Sequence, residues 1–353
     1  MSPSVPPSPA DLAVTTIVGA DDAVTMTVAR REAAKLLIRS VGTDLSDDRF
    51  KPAGKWGKDE ILALARLDGE PVAYVTAASS RGRLQFDTVA DVDAMQTGRL
   101  SAPEDLDQLA ADVCSAMVEQ LSELHNSRFG QQDQSPLTRE VWGRPRRQWH
   151  DVLATNLGLV PHRTLYQMRC PLPIPSEIVE PLVTRSIDVS GDSACLVSVN
   201  NRAFSNHPDQ SDQGLDQILS QFNADGFEPA SVRILDAAML GNGDSTPQSQ
   251  QDRPMAGFCW TKIHEPVTGR SALGEIYVIA VDPSYHGHGL GMGLTAAGLD
   301  WMAQQGLQVG MLFVESDNEP AVRTYHKLGF EIHAKYTAWR AGHDDHIAEM
   351  SGS

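Results

Sequence analysis

The stretch LGLVPHRTLYQMR (157–169) returns in altered form as LGFEIHAKYTAWR (328–340), equal in length and 171 residues further on. Leu157/Leu328, Gly158/Gly329, His162/His333 and Arg169/Arg340 coincide. Pro71-Val72-Ala73 against Pro254-Met255-Ala256 is a second candidate correspondence. Both long copies follow a helical pattern and precede a strand pattern. Two tandem copies of one fold is the economical explanation. With 353 residues, the chain allows each copy an ordinary domain size of ~100–200 residues.

The four prolines of PLPIPSEIVEP (171–181) remove backbone donors and hold the chain extended. The expected organisation is a disordered tail at 1–10, a first domain at 11–170, a linker at 171–181, a second domain at 182–340 and a tail at 341–353. In the first half, residues 22–40 suggest a helix. ILALARL (61–67) and VAYVTAA (72–78) suggest strands joined at Asp68-Gly69, and 104–124 reads as a helix with Leu106, Leu109, Val113 and Met117 on one face. The second half is clearer. Helical patterns at 192–204 and 214–224 precede strands at 231–237 and 255–263. A strand at 274–281, a helix at 288–305, a strand at 310–316, a helix at 318–328 and a strand at 331–339 follow. The polar loop 241–253 reads as mobile. Antiparallel strands followed by strand–helix–strand–helix–strand make an α+β fold, a mixed, mostly antiparallel sheet flanked by helices in each half.

A net charge of −17 without a long Lys/Arg run argues against nucleic acid and anionic membranes as partners. RPRRQWH (144–150), the densest basic stretch, reads as a solvated helix start. No segment approaches the ~18 consecutive apolar residues of a membrane span. The N-terminal MSPSVPPSPADLA lacks the basic start and apolar run of a signal peptide. Cys114, Cys170, Cys195 and Cys259 are far apart and form no C-x-x-C, which fits a reducing cytoplasm and argues against a metal site. A cytoplasmic monomer is expected.

The candidate chemistry lies in the second half. In GEIYVIAVDPSYHGHGLGMGLTAAGLDWM (274–302), a strand runs into a glycine-rich turn that opens a helix. Glycines let backbone N–H groups approach a ligand, and a helix N-terminus favours negative charge, so the turn suits a pyrophosphate. A dinucleotide-binding fingerprint would open its fold, whereas this turn comes after antiparallel strands. In FVESDNEPAVRTYHKLGFE (313–331), Asp317 or Asn318 can cap a helix, Pro320 suits its first turn, and Gly329 is a natural stop. Val322, Tyr325 and Leu328 share a face, which by spacing alone makes Tyr325 a core residue. Strict strand alternation puts Glu275, Tyr277, Ile279 and Val281 on one face and Ile276, Val278 and Ala280 on the other.

These two motifs resemble the GNAT family of N-acetyltransferases: its coenzyme A loop, Gln/Arg-x-x-Gly-x-Gly/Ala, and its closing motif, N-x-x-A-x-x-x-Y-x-x-x-G-F. His286 stands in the Gln/Arg position. The resemblance implies acetyl-CoA as co-substrate and no metal. It implies a coenzyme site over Ile279, Ala280, Val281, His286, Gly287, His288, Gly289, Leu290, Gly291 and Met292, continued by Asn318, Glu319, Pro320, Ala321, Val322 and Arg323. Glu275 is then the expected base, and Tyr325, beside the thioester sulfur, the expected acid toward the departing thiolate or a hydrogen-bond donor to it. In the first half, RLQFDTVADVDAMQTGRL (83–100) offers only Gly98 and no glycine-rich turn, so that half is expected to be structural.

VNNRAFSNHPDQS (199–211), GFCWTKIHEP (257–266) and VESDNEPAVRTYHKLGF (314–330), with the tandem layout, are similar to the mycothiol synthases, a tandem branch of that family. This resemblance covers 140–340 well and implies a cysteinyl-glucosaminyl-inositol acceptor. Asp209, Lys262 and Glu275 would touch it, with Phe313 where a Tyr is common, Asp209 where a Glu is common, and Asp47 as the acidic candidate of the first half. The sequence also allows a tandem acetyltransferase for another amine and a non-catalytic acyl-CoA-binding module.

Overall fold

The computed structural model describes residues 12–18, 23–41, 59–80, 82–96, 102–130, 137–205, 214–224, 226–240, 254–266 and 271–342. The chain forms two compact units, one of residues 1–165 with 334–353 and one of residues 166–333.

In the first unit, β1 (Leu12–Val18), β2 (Ile61–Leu67), β3 (Glu70–Ser80) and β4 (Arg83–Ala90) form an antiparallel run. Helix α2 (Pro103–Phe129) carries the chain back to β5 (Thr138–Gly143), which pairs parallel to β4. Pro103 in the first turn and Glu104 and Asp105 beside it suit the start of α2. Leu106, Ala110, Val113, Met117 and Leu121 recur at helical spacing and are buried against the sheet. The β2 residues alternate: Ile61, Ala63 and Ala65 face the core under α2. Leu62 and Leu64 face Met26, Ala33 and Leu36 of α1 (Ala23–Val41) on the other side. Burial on both faces is why ILALA is continuously apolar.

Helix α3 (Trp149–Asn156) follows β5 in the first unit. In the second unit, β7 (Arg185–Ser186) precedes α4 (Val189–Ala203) and α5 (Leu215–Phe222). Strands β8 (Val232–Asp236), β9 (Met255–His264) and β10 (Leu273–Val281) are antiparallel neighbours. Helix α6 (Leu290–Gln304) leads to β11 (Val309–Glu315), parallel to β10, and α7 (Glu319–Lys327) follows. One face of this sheet packs Leu235, Cys259, Ile276 and Leu312 against Leu294, Leu299 and Met302 of α6. The other packs Ile234, Phe258, Trp260 and Ala280 against Leu196 and Val199 of α4 and Ile218 and Phe222 of α5.

The closing strands are exchanged. Strand β12 (Glu331–Ala341) ends the second copy, yet Thr337–Arg340 pair antiparallel with Gly143–Glu140 of β5 in the first unit. Strand β6 (Leu159–Pro171) ends the first copy, yet its neighbour in the second unit is β11. The division therefore falls within β6 and β12, and the segment 171–181 expected to be a linker lies inside the second unit. Strands β1, β4, β5 and β7 are not anticipated from the sequence pattern. The expected tails and the loop 241–253 lie outside the described residues.

Candidate functional site

The site grows from an irregularity in β10. Its register with β9 shifts between Ile276 and Val278, leaving Tyr277 as the extra residue of a β-bulge. With β11, β10 pairs only from Gly274–Ile276 to Gly310–Leu312; beyond that the two strands part. Ala280 and Val278 oppose Phe258 and Trp260, and the Asp282 N–H donates to the Ala256 carbonyl at 2.9 Å. The alternation of an antiparallel ladder then turns the main-chain groups of Ile279 and Val281 away from β9, toward the side that β11 has left. An extended ligand chain fits such an edge.

The strand ends at Asp282, which caps the next turn by accepting from the Ser284 N–H at 2.9 Å. Arg202 of α4 donates its Nε to the same carboxylate at 2.9 Å. Burial opposes ionisation of Asp282, but the Ser284 and Arg202 hydrogen bonds outweigh it and hold the carboxyl below its ordinary range. The turn itself requires glycine: φ is +84° at Gly287 and +69° at Gly289, the residue preceding α6. The first turn of α6 carries no acidic residue. The His286 Nε2–H donates to the Val281 carbonyl at 3.0 Å, tying the turn to the strand end.

Helix α7 is set at both ends. Asn318, rather than Asp317, is the cap: its Oδ1 accepts from the Ala321 N–H at 3.3 Å. At the other end the Gly329 N–H donates to the His326 carbonyl and the Phe330 N–H to the Tyr325 carbonyl, a Schellman closure with Gly329 at φ +87°. Ala321, Val322 and Tyr325 pack toward the α6 face of the sheet. Glu319 and Arg323 form an exposed ion pair one turn apart. The Tyr325 ring is half-buried, edge-on to Phe330 at 5.8 Å. Burial around its hydroxyl, with a smaller contribution from Cys259, pushes the phenol up to about 12.

On the opposite face, Glu275 stands directly across from Lys262 in the β9–β10 register. The Lys262 Nζ lies 3.2 Å from the centroid of the Tyr277 ring, which meets Trp260 edge-on at 5.2 Å. His264 Nε2–H donates to Glu275 Oε2 at 2.7 Å. Phe313, two residues beyond the Met311 that pairs with Glu275, belongs to the same face and is exposed. Glu275 and Lys262 are thus brought together, with Phe313 on the same face. The expected alternation is corrected by the bulge: beyond Tyr277 the faces exchange, so Glu275 shares a face with Val278 and Ala280, while Ile279 and Val281 join Ile276 on the α6 side. Glu275 and Tyr325 consequently approach from opposite faces. Asp47 and Asp209 lie outside the described residues. The bulge, the Arg202–Asp282 pair and the His264–Glu275 bond were absent from the sequence reading; each needs the strand register or a tertiary neighbour.

Residues 217–330 match the model of the acetyltransferase (GNAT) family. A mycothiol acetyltransferase of Tsukamurella paurometabola is 40% identical over 192 residues, 53% of this chain and 62% of that protein. That of Acidimicrobium ferrooxidans is 36% identical over 238 residues, 66% of this chain and 69% of that protein. That of Segniliparus rotundus is 34% identical over 207 residues, 57% of this chain and 73% of that protein. The alignment with the Tsukamurella protein thus spans less than two thirds of that relative, and the other two span somewhat more. Among solved structures, a GCN5-related N-acetyltransferase from Sphaerobacter thermophilus superposes with a TM-score of 0.66 at 16% identity, over 94% of this chain and 95% of that one. A tandem GNAT protein from the clavulanic acid biosynthesis pathway gives 0.57 at 15% identity, over 94% and 99%. These two likenesses concern the fold. On the sequence alignments, the chain belongs to the mycothiol acetyltransferases of the GNAT family.

Proposed function

We propose that the protein transfers the acetyl group of acetyl-CoA to the cysteinyl amine of cysteinyl-glucosaminyl-inositol, and that the second unit carries the chemistry. The observation that carries this reading is the parting of β10 from β11 immediately before a turn with two positive-φ glycines. The amides of that turn suit a diphosphate, since no acidic residue in the first turn of α6 opposes it. The edge at Ile279 and Val281 suits a pantetheine arm running into the opening between the strands. That opening also joins the two faces of the sheet, which is how Tyr325 on one and Glu275 on the other can serve a single reaction.

An α-amino group with a pKa near 8 is partly protonated at neutral pH and must lose its proton before attack. Glu275 takes that proton, directly or through water. The nitrogen–carbon bond forms, the carbon–sulfur bond breaks, and the coenzyme A thiolate leaves. Tyr325 serves as a hydrogen-bond donor to the sulfur rather than as its acid. With the phenol near 12 and a thiol near 8.5, full proton transfer is uphill by about 5 kcal/mol. Lys262, Tyr277 and Phe313 offer a cation and ring faces to a sugar–inositol acceptor; Asp209 and Asp47 are retained as its acidic contacts, and Asn318 to Arg323 as the helix beside the coenzyme.

The test is direct. The protein is incubated with acetyl-CoA and a panel of amines that includes cysteinyl-glucosaminyl-inositol, and thiol release and product mass are followed. Turnover confined to that acceptor is expected. Turnover of a different amine in preference would replace the acceptor, and coenzyme binding without turnover on any amine would reduce the protein to a binding module.

A further inference from the structure

His264 lies at the end of β9, and its ring is 8% exposed on the face that carries Glu275. It is not the cross-strand partner of Glu275, which is Lys262; it is the diagonal neighbour two residues on, paired with Leu273. From there its Nε2 reaches Glu275 Oε2 at 2.7 Å. Among the described residues, no other side chain is hydrogen-bonded to Glu275. The Lys262 ammonium, although opposite in register, rests over the Tyr277 ring.

We propose that His264 is a positioning residue for the acceptor-side carboxylate: by engaging Oε2 it fixes the rotamer of Glu275 and leaves Oε1 for the amine. This rests on the reading of Glu275 as the base. A glutamate has three side-chain torsions, and a base must stand within hydrogen-bond reach of the proton it takes. A carboxylate held through one oxygen keeps the other at a set place, whereas a free one samples many. The bulge at Tyr277 sharpens the need. It breaks the regular backbone two residues beyond Glu275, so the strand alone does not fix where that side chain points. The hydrogen bond to β9, which stays in register from Lys262 to His264, supplies the missing constraint.

The test compares two polar substitutions. In His264→Gln the amide nitrogen stands near the place of Nε2 and can still donate to Glu275. In His264→Asn it stands near the place of Nδ1 and falls short. We expect His264→Asn to lower kcat by roughly 10- to 100-fold, the scale of a displaced catalytic group, and His264→Gln to recover most of that loss. Coenzyme A affinity, measured by calorimetry, should stay within about twofold in both, as the conserved folding of the coenzyme side requires. In a Glu275→Gln background the two substitutions should become equivalent. Equal kcat for the Gln and Asn variants in an otherwise wild-type background overturns the proposal while leaving the proposed function standing. A wild-type protein that acetylates no amine overturns both.

Discussion

The two units are copies of one fold, and among the described residues only the second carries the features on which the proposed chemistry rests. Moving 171 residues along the chain carries β5 onto β11, α3 onto α7 and β6 onto β12. Under that shift Ala154, buried in α3, stands where Tyr325 stands in α7. The parallel registers give a second equivalence: Gln85 pairs with Glu140, and Glu275 with Met311, so an amide replaces the carboxylate. In the first unit β4 stays paired with β5 from Arg83–Asp87 to Thr138–Trp142, and no bulge interrupts its register with β3. Helix α2 begins with Glu104 and Asp105, which would repel a phosphate, where α6 is entered through Gly287 and Gly289. The proposed function therefore rests on local departures from regularity: a bulge, lost strand pairing and positive φ.

The sharpest way to break the comparison is to remove the carboxylate. Glu275→Gln should lower kcat by roughly 10²- to 10⁴-fold, the range of general-base effects, with the KM for acetyl-CoA little changed. Gln85→Ala, scored per folded protein after a thermal melt, should change kcat by less than about twofold. A hundredfold loss in the Gln85 variant would hand part of the chemistry to the first unit.

Acid should separate the units next. His150 is stacked 3.7 Å from Trp149, and burial pulls its imidazole down to about 4. Its Nδ1 accepts from the Arg147 N–H at 2.9 Å. The folded state thus resists a proton that the unfolded chain accepts near pH 6.5, so stability falls as pH drops from about 6.5 to 4 and no further below. The full window is worth on the order of 3 kcal/mol. Asp282 of the second unit, with its pKa depressed, holds its contribution until pH falls below about 4. Hydrogen exchange at pH 5 against pH 7, corrected for intrinsic rates, should show α3 and β5 opening before α6. His150→Phe should flatten that difference. Equal loosening of both units at pH 5 would count against the assignment.

The third effect concerns Tyr325 and its counterpart Ala154. Tyr325→Phe should lower kcat by ten-fold or more through loss of the hydrogen bond to sulfur. Because the phenol lies near 12, the wild-type kcat should show no alkaline fall between pH 8 and 10 that the Phe variant removes. A limb in that range, lost on substitution, would restore Tyr325 as a proton donor of lowered pKa.

The second unit was legible almost element by element. Its strands carry apolar runs such as VIAV, and α7 announces itself through Asn318, Pro320 and Gly329. The first unit hid β4 and β5 because their charges are satisfied only in the folded chain. Arg83 and Gln85 pair with Glu140, which is 1% exposed, and Arg144 pairs with Asp87. Residue types at the site were readable, but their directions were not. A one-residue bulge at Tyr277 moves Ile279 and Val281 to the opposite face, and no local pattern in GEIYVIAV signals it. The exchange of β6 and β12 was equally silent, since a strand's sequence records the burial of its faces and not which neighbour covers its edge.

The smallest effect tests the turn. Gly289 has φ +69°, and a Cβ added there would meet no atom within 4 Å. Any cost of Gly289→Ala is therefore conformational, from the left-handed backbone, or arises against the bound ligand. A left-handed alanine costs roughly 1 kcal/mol or more; where the free variant's turn relaxes and must return to the present form on binding, this converts to about fivefold weaker coenzyme A binding. The acceptor KM should not move, because Glu275 lies at the other end of β10, with Lys262 opposite it on β9. Glu104→Ala at the matching start of α2 should leave coenzyme A affinity unchanged, since the sequence 83–100 before that helix offers only Gly98. Undiminished affinity in Gly289→Ala would mean that the turn rearranges on binding; a change in the Glu104 variant would mean that the first unit also holds the coenzyme.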